Sequence, residues 1–206
     1  RLPREELVRQ HAEGVDVGRA LDLLLRVAGA VAAPGVDADE HRRGSALPGL
    51  QGRGGAAFAV GRKWQVVQYD DGQPHYLIAN ADEGEPGTFK DRWILENNPH
   101  VLLESMLIAS YALNVRNCFV YIRGEFDLPY RRLAGAVEEA YAAGHFGERI
   151  LGTDFCCDIV VYRGAGAYVA GEASGLISSL EGKKGYPRNR PPRLTVKGLY
   201  QRPTVV

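Results

Sequence analysis

Four stretches of this sequence gather glycine, carboxylates and basic groups at spacings that could hold a flat, phosphate-bearing ligand. The first is Gly52-Arg53-Gly54-Gly55-Ala56-Ala57-Phe58-Ala59-Val60-Gly61-Arg62-Lys63-Trp64. Glycines let backbone N–H groups turn toward a phosphate or approach a planar ring closely. Residues 52–57 fit a loose Gly-x-Gly-x-x-Ala form of the dinucleotide fingerprint, yet Pro48-Gly49 precedes them instead of a strand, so the match alone is weak. The Walker spacing fails. A structural turn explains the glycines equally well, while Arg62 and Lys63 favour an anionic ligand.

The second stretch, Asn80 to Asp91, carries Asp82, Glu83 and Glu85. Three carboxylates in four positions are costly to crowd unless hydrogen bonds or cations compensate. At a strand end they suit ribose or ribityl hydroxyls; the alternative is a solvated acidic turn. In the third, Arg163 to Ser174, Tyr168 could pack on a flat ring, and Glu172 opens a helix where its charge suits the dipole. The bland account is a glycine-rich turn with a capping Glu. The fourth, Glu181 to Pro192, is basic and proline-rich and reads first as a surface loop, with a phosphate contact by Lys183 as the minor alternative.

Other chemistries lack their signatures. No serine–histidine–acid order stands out, and His11, His41, His75, His100 and His145 have no metal-ligand spacing. Cys118, Cys156 and Cys157 contain no C-x-x-C pair, and their odd number argues against a disulfide scaffold; buried, inert thiols in a reducing compartment are expected. The 206 residues balance 25 basic against 25 acidic side chains, so charge calls for neither nucleic acid nor an anionic membrane. No apolar run is long enough to cross a bilayer.

The elements that must position these loops alternate. Residues 4–31 read as helical, broken near Gly14 and Gly18, and 33–49 as a linker. Strands are expected over 75–80, 118–123 and 158–163. Helices are expected over 99–113, with Asn98 as cap and Pro99 in the first turn, over 129–143, closed by Gly144, and over 172–180. Strand–helix alternation with buried strands predicts a parallel α/β sheet, whose ligands sit beyond the carboxyl ends of the strands. Three of the four stretches fall at that edge, which favours a flat cofactor over a hydrolytic site.

Taken in order, GRGGAAFAVGRKW, NADEGEPGTFKDRWILENNPH, YIRGE, RGAGAYVAGEASGL and SLEGKKGYPRNRPP resemble the flavoprotein subunit of respiratory complex I. They are equally similar to the diaphorase subunits of NAD-reducing hydrogenases and NAD-dependent formate dehydrogenases. The resemblance covers about Gly49 to Thr204. It implies a Rossmann-like domain over 49–206, preceded by the helical segment and linker of 1–48, binding one FMN on which NADH stacks to pass hydride. By the same resemblance FMN would be held by Gly52, Arg53, Gly54, Gly55, Lys63, Asn80, Asp82, Glu83, Tyr168, Gly171 and Glu172. NADH would meet Gly54, Gly55, Ala56, Phe58, Gly61, Lys63, Glu85, Tyr168 and Lys183. No protein group is expected to act as catalytic acid or base, because hydride transfer needs only the two rings in contact and water kept out.

The resemblance also implies partners: iron–sulfur subunits of complex I or a related dehydrogenase, among them a 2Fe-2S thioredoxin-like subunit. The setting would be the peripheral arm of a membrane complex, in bacterial cytoplasm or on the mitochondrial matrix side, without insertion into the membrane. The family's ubiquitin-like and 4Fe-4S regions are not in this chain. It departs from the family pattern at Ala57, where glycine is usual, at Ala173, where a second glutamate is usual, and at Ala170, where cysteine is common. Ala57, Ala59, Ala173 and the early end of the sequence support a rival expectation, a structural subunit that keeps the fold without flavin or NADH.

Overall fold

The computed structural model describes residues 51–52, 57–67 and 71–206. The helical segment and linker expected over 1–48 lie outside the described residues, as do Arg53, Gly54, Gly55 and Ala56. In chain order the elements are α1 (Val60–Gln65), β1 (Tyr76–Ala81), α2 (Lys90–Asn97), α3 (Pro99–Ala112), β2 (Asn117–Ile122), α4 (Asp127–Ala142), β3 (Asp158–Arg163), α5 (Ala173–Leu180) and β4 (Thr204–Val205). Short 3-10 turns cover Ile150–Gly152, Tyr168–Gly171 and Leu199–Gln201.

The four strands form one parallel sheet in the order β3-β2-β1-β4. Tyr76 stands opposite Asn117, and Asn117 opposite Asp158, so the three long strands are level and their carboxyl ends form a common edge. This is the Rossmann-like α/β architecture anticipated from the alternation of elements.

Side chains alternate between the faces of a strand. Leu77, Cys118, Val120, Ile122 and Ile159 point into one core with Leu103, Met106 and Leu107 of α3 and Leu133, Ala136 and Ala140 of α4. Ile78, Tyr121 and Tyr162 belong to a second core, closed by Leu176, Ile177 and Leu180 of α5. Two helices and the buried Leu95 of α2 therefore seal one face, while an eight-residue helix and loops cover the other.

Local chemistry explains most boundaries. Pro99 sits in the first turn of α3 as expected, but Asn98 makes no side-chain capping bond. Helix α4 begins at Asp127, two residues before the expected start. Pro129 still lies in the first turn, where its missing N–H removes no helical bond. Gly144 follows α4 with φ +74°, the left-handed conformation glycine adopts most readily. Three elements were not anticipated: α1, which turns Gly61, Arg62 and Lys63 from loop into helix; α2, which occupies the end of the acidic stretch; and the two-residue β4.

Cys118 and Cys157 are buried as expected and Cys156 is half-buried; all three thiols are free. Their arrangement was not anticipated: the Cys118 and Cys157 sulfurs lie 3.5 Å apart. The hydrogen bond to Cys157 and burial push the Cys118 thiol far above its ordinary range.

Candidate functional site

Strand β1 ends in Asn80 and Ala81, and from there the acidic loop crosses the carboxyl edge of the sheet. Asn80 fixes two pieces at once. Its amide nitrogen donates to the Gly171 carbonyl at 2.8 Å, and its amide oxygen accepts from the Asp82 N–H at 3.2 Å. The 3-10 turn of Tyr168–Gly171 is thereby tied to the start of the acidic loop. The fit is close, since a Cβ on Gly171 would fall 3.3 Å from the Asp82 carbonyl.

The three carboxylates of the acidic loop have different surroundings. Burial pushes the Asp82 carboxyl above its ordinary range; Arg123 works against the rise and Glu125 adds to it. Among the described residues no hydrogen bond reaches the Asp82 carboxylate, which leaves a half-buried acceptor unused. Glu83 is the opposite case. It is 6% exposed, and its two oxygens accept the backbone N–H groups of Asp91 and Arg92 at 3.0 and 3.1 Å. Its carboxylate thus caps α2, satisfying donors that a helix start leaves free. Glu85 accepts the Tyr168 hydroxyl at 2.7 Å.

Tyr168 is 69% exposed, yet its ring is not loose. A Cβ on Gly84 would lie 3.2 Å from Cδ2 of the ring, so the tyrosine stands on the Gly84 backbone with its hydroxyl held by Glu85. Its phenol titrates above its ordinary range because it donates to that carboxylate. Glu172 caps α5, its Oε2 accepting from the N–H groups of Ser174 and Gly175 at 2.8 and 2.9 Å. Burial raises the Glu172 pKa, but these bonds and Arg190, 3.0 Å from Oε1, outweigh it and leave the net shift downward.

The first glycine stretch reaches the sheet from the β4 side. Gly52 N–H donates to the Phe58 carbonyl at 2.9 Å, and Gln51 and Ala59 form an antiparallel bridge. Phe58 is 52% exposed, and Ala57 adopts φ +48°. Lys63 donates to the Val206 carbonyl at 2.7 Å just beyond β4, and burial lowers its pKa.

Of the expected site residues, Asn80, Asp82, Glu83, Glu85, Tyr168, Gly171 and Glu172 converge on one edge. Gly52 and Phe58 pair with each other, Gly61 lies within α1, and Lys63 stands at β4. Lys183 remains apart: it is exposed and its amine pairs with Glu181 at 2.7 Å. Arg188 ties the basic loop into the fold. Arg188 binds Ser174 and Ser178 of α5 and the Gly198 carbonyl, with a guanidinium nitrogen 2.8 Å from Glu181. The sequence reading missed Arg123, whose Nη1 donates to the Glu83 carbonyl at 2.9 Å; its position in YIRGE, at a strand end, was the available signal.

A parallel α/β sheet whose strand-end loops meet in a polar, carboxylate-bearing edge defines a nucleotide-type binding domain. Residues 47–205 match the Nuo51 FMN-binding domain, and the chain belongs to that family. It is 54% identical over 158 residues to the F subunit of the NADH-quinone oxidoreductase of Streptomyces coelicolor, covering 77% of this chain and 35% of that protein. It is 52% identical over 157 residues to the F subunit of the same enzyme in Aquifex aeolicus, covering 76% and 37%. The chain thus spans little more than a third of the curated relatives it matches. The structure of an NAD+-reducing NiFe-hydrogenase in its H2-reduced state aligns over 85% of this chain and 29% of that one, with TM-score 0.72 and 38% identity.

Proposed function

We propose that this chain is the flavin- and nucleotide-binding portion, residues 49–206, of an NADH-oxidising flavoprotein. The observation that carries the reading is the Asp82 carboxylate, half-buried and without a hydrogen-bond partner among the described residues, at the edge where such sheets bind ligands. An acceptor of that kind suits the hydroxyl groups of a ribityl chain. FMN, when bound, supplies the acceptor for the hydride of NADH.

The residues divide the work. Asn80 orients the loop and the turn, and Asp82 accepts hydroxyl groups. Glu83 contributes through its peptide, because its carboxylate is committed to α2. Gly171 and Glu172 line the pocket from the opposite loop, and Lys63 supplies positive charge from α1. Of the glycine stretch, Gly52 and Arg53 would meet FMN, Ala56 would meet NADH, and Gly54 and Gly55 would meet both. Phe58, exposed, and Tyr168, upright on Gly84, offer flat faces to the nucleotide, with Glu85 beside Tyr168, Gly61 behind the loop and Lys183 at the rim. None of these side chains moves a proton in the hydride step; they orient the rings and exclude water.

Electrons then pass to iron–sulfur partners of a larger complex I-type or hydrogenase-type assembly. These include a 2Fe-2S thioredoxin-like subunit and a 4Fe-4S region that the rest of the subunit would supply. The names of the relatives, a lettered subunit of an NADH-quinone oxidoreductase and an NAD+-reducing hydrogenase, support a place in a larger redox assembly. No helix among the described residues is long and apolar enough to cross a membrane.

An absorbance spectrum of the purified chain, loaded with FMN and taken before and after adding NADH under nitrogen, tests the reading. A flavin band that bleaches supports it. A band that persists places a defect on the nicotinamide side, near Ala57 and Ala173. Failure to take up FMN leaves the non-catalytic subunit as the better account, a reading the left-handed Ala57 favours.

A further inference from the structure

We propose that Arg123 is a positioning residue of this site. It ties the Glu83–Gly84 peptide to the end of β2 and presents the positive charge that keeps Asp82 available as an acceptor. The ligand in this proposal rests on the flavin reading; the geometry does not.

Arg123 directly follows β2, and its backbone N–H continues the ladder to the Ala81 carbonyl at 3.2 Å. Its side chain, 31% exposed, runs across the strand ends. Nη1 donates to the Glu83 carbonyl at 2.9 Å and Nε to Glu125 Oε2 at 3.1 Å, while the guanidinium lies 5.8 Å from the centre of the Phe126 ring. One planar group thus joins two loops in fixed directions, which a lysine ammonium does not reproduce. The neighbouring loop leaves little slack. A Cβ on Gly124 would fall 2.4 Å from the Gly164 carbonyl, and one on Gly166 would lie 3.1 Å from Glu125 Oε1.

The link extends further. Glu83 is gripped at its carbonyl by Arg123 and at its carboxylate by the start of α2, so the residue beside Asp82 is held at both its backbone and its side chain. Among the described residues, the groups whose charge or polarity acts on Asp82 come from the β2 end: Arg123, Glu125 and the Tyr121 phenol. Burial, and then the charge of Asp82, raise the Tyr121 pKa. The turn of Tyr168–Gly171 brings no charged side chain to Asp82, and Glu83 turns its own carboxylate away into α2. Among the described residues, Arg123 is therefore the cation that opposes the desolvation of Asp82.

The test follows the Asp82 carboxyl by carbon NMR against pH in the ligand-free chain, and measures FMN affinity by fluorescence quenching. Arg123→Gln should move the Asp82 midpoint to higher pH, and Arg123→Lys should bring it back toward the native value. Glu125→Gln should move it lower. FMN should bind the Arg123→Gln chain roughly ten-fold more weakly, and the Arg123→Lys chain with intermediate affinity because the second bond of the fork is lost.

A midpoint that stays put in Arg123→Gln, or that moves in the same direction in both neutral variants, overturns the proposal. So does a moved midpoint with undiminished FMN affinity. Should Arg123→Gln not fold, Arg123→Lys and Glu125→Gln, the latter on a side chain 54% exposed, still decide it. A native chain that takes no FMN would sink the flavin reading, and the titration would then judge Arg123 alone.

Discussion

The two faces of the sheet are built to different rules. On one, Leu77, Val120, Ile122 and Ile159 meet Leu103, Met106, Leu107 and Leu133 in an aliphatic core with few polar atoms. On the other, Tyr76, Tyr121 and Tyr162 replace most of the aliphatics. Two of their hydroxyls are used: Tyr121 shares a hydrogen bond with Ser179 Oγ at 2.9 Å, and Tyr162 donates to the Ser179 carbonyl at 3.2 Å. The second face is also less complete, for Val160 and Tyr200 are about half exposed. The first face holds the fold together mainly by burial. The second supports the loops of the site and exchanges some aliphatic burial for directed polar contacts.

If that division is right, the largest stability loss should come from the first face and leave the site intact. Leu133, fully buried on α4, is the choice. Leu133→Ala should lower stability by about 3–4 kcal/mol in urea denaturation, from lost transfer energy plus the cavity. FMN affinity of the folded fraction should not change. A large affinity loss would mean that the faces are mechanically coupled and the division is wrong.

A smaller effect with the opposite distribution is expected at Gly164, where the β3-end loop crosses the second face. A Cβ there would lie 2.6 Å from the Tyr121 hydroxyl and 2.8 Å from the ring carbon that carries it. Gly164→Ala should cost about 1–3 kcal/mol by overpacking. It should also weaken FMN binding, because Tyr121 hydrogen-bonds Ser179 of α5, the helix that Glu172 caps at the site edge. Calorimetry alongside a flavin titration checks both. A stability loss without an affinity loss would remove Tyr121 from the support of the site.

The same contrast explains what could be read from the sequence. Strands β1 to β3 and helices α3, α4 and α5 were legible because their burial is written as runs or periodic apolar positions. Helix α2 was not, since its start is capped by Glu83, seven residues upstream of Lys90, a contact that needs the turn between them to be known. Strand β4 is two residues long and exists only through its pairing with Tyr76 and Leu77. The cluster of carboxylates was visible, but composition could not separate Asp82, left open, from Glu83, consumed as a cap. Arg123 lay in a recognised segment, yet its partner Glu83 is 40 residues away.

Glu172 tests the polar contacts of the site loops at lower energy. Its carboxylate holds the first turn of α5, so Glu172→Gln should cost about 1 kcal/mol at neutral pH. The folded pKa is lowered, so the ionised cap contributes stability above the unfolded value, near 4.3, and loses it as pH falls through the folded one. Native and variant stabilities should converge in acid. A difference that persists below about pH 3 would assign the effect to packing, because protonation removes the Arg190 pair along with the ionised cap.

The smallest effect is expected at Ala57, and its sign is informative. The residue holds φ +48°, a conformation that costs an L-residue about 1–2 kcal/mol and glycine nothing. Glycine in turn gives the unfolded chain more freedom, worth roughly 0.5–1 kcal/mol against folding. The Ala57 side chain is exposed, so deleting its methyl group forfeits little packing. Ala57→Gly should therefore come out slightly ahead, by about 0.5 kcal/mol, or roughly 1–2 °C in the melting temperature. A gain in stability accompanied by tighter nucleotide binding would mean that the methyl group both strains the loop and obstructs the ligand. A fall in melting temperature would show that the glycine loop is not strained, and that the weaker construction of the site side lies in its sheet face and not in its loops.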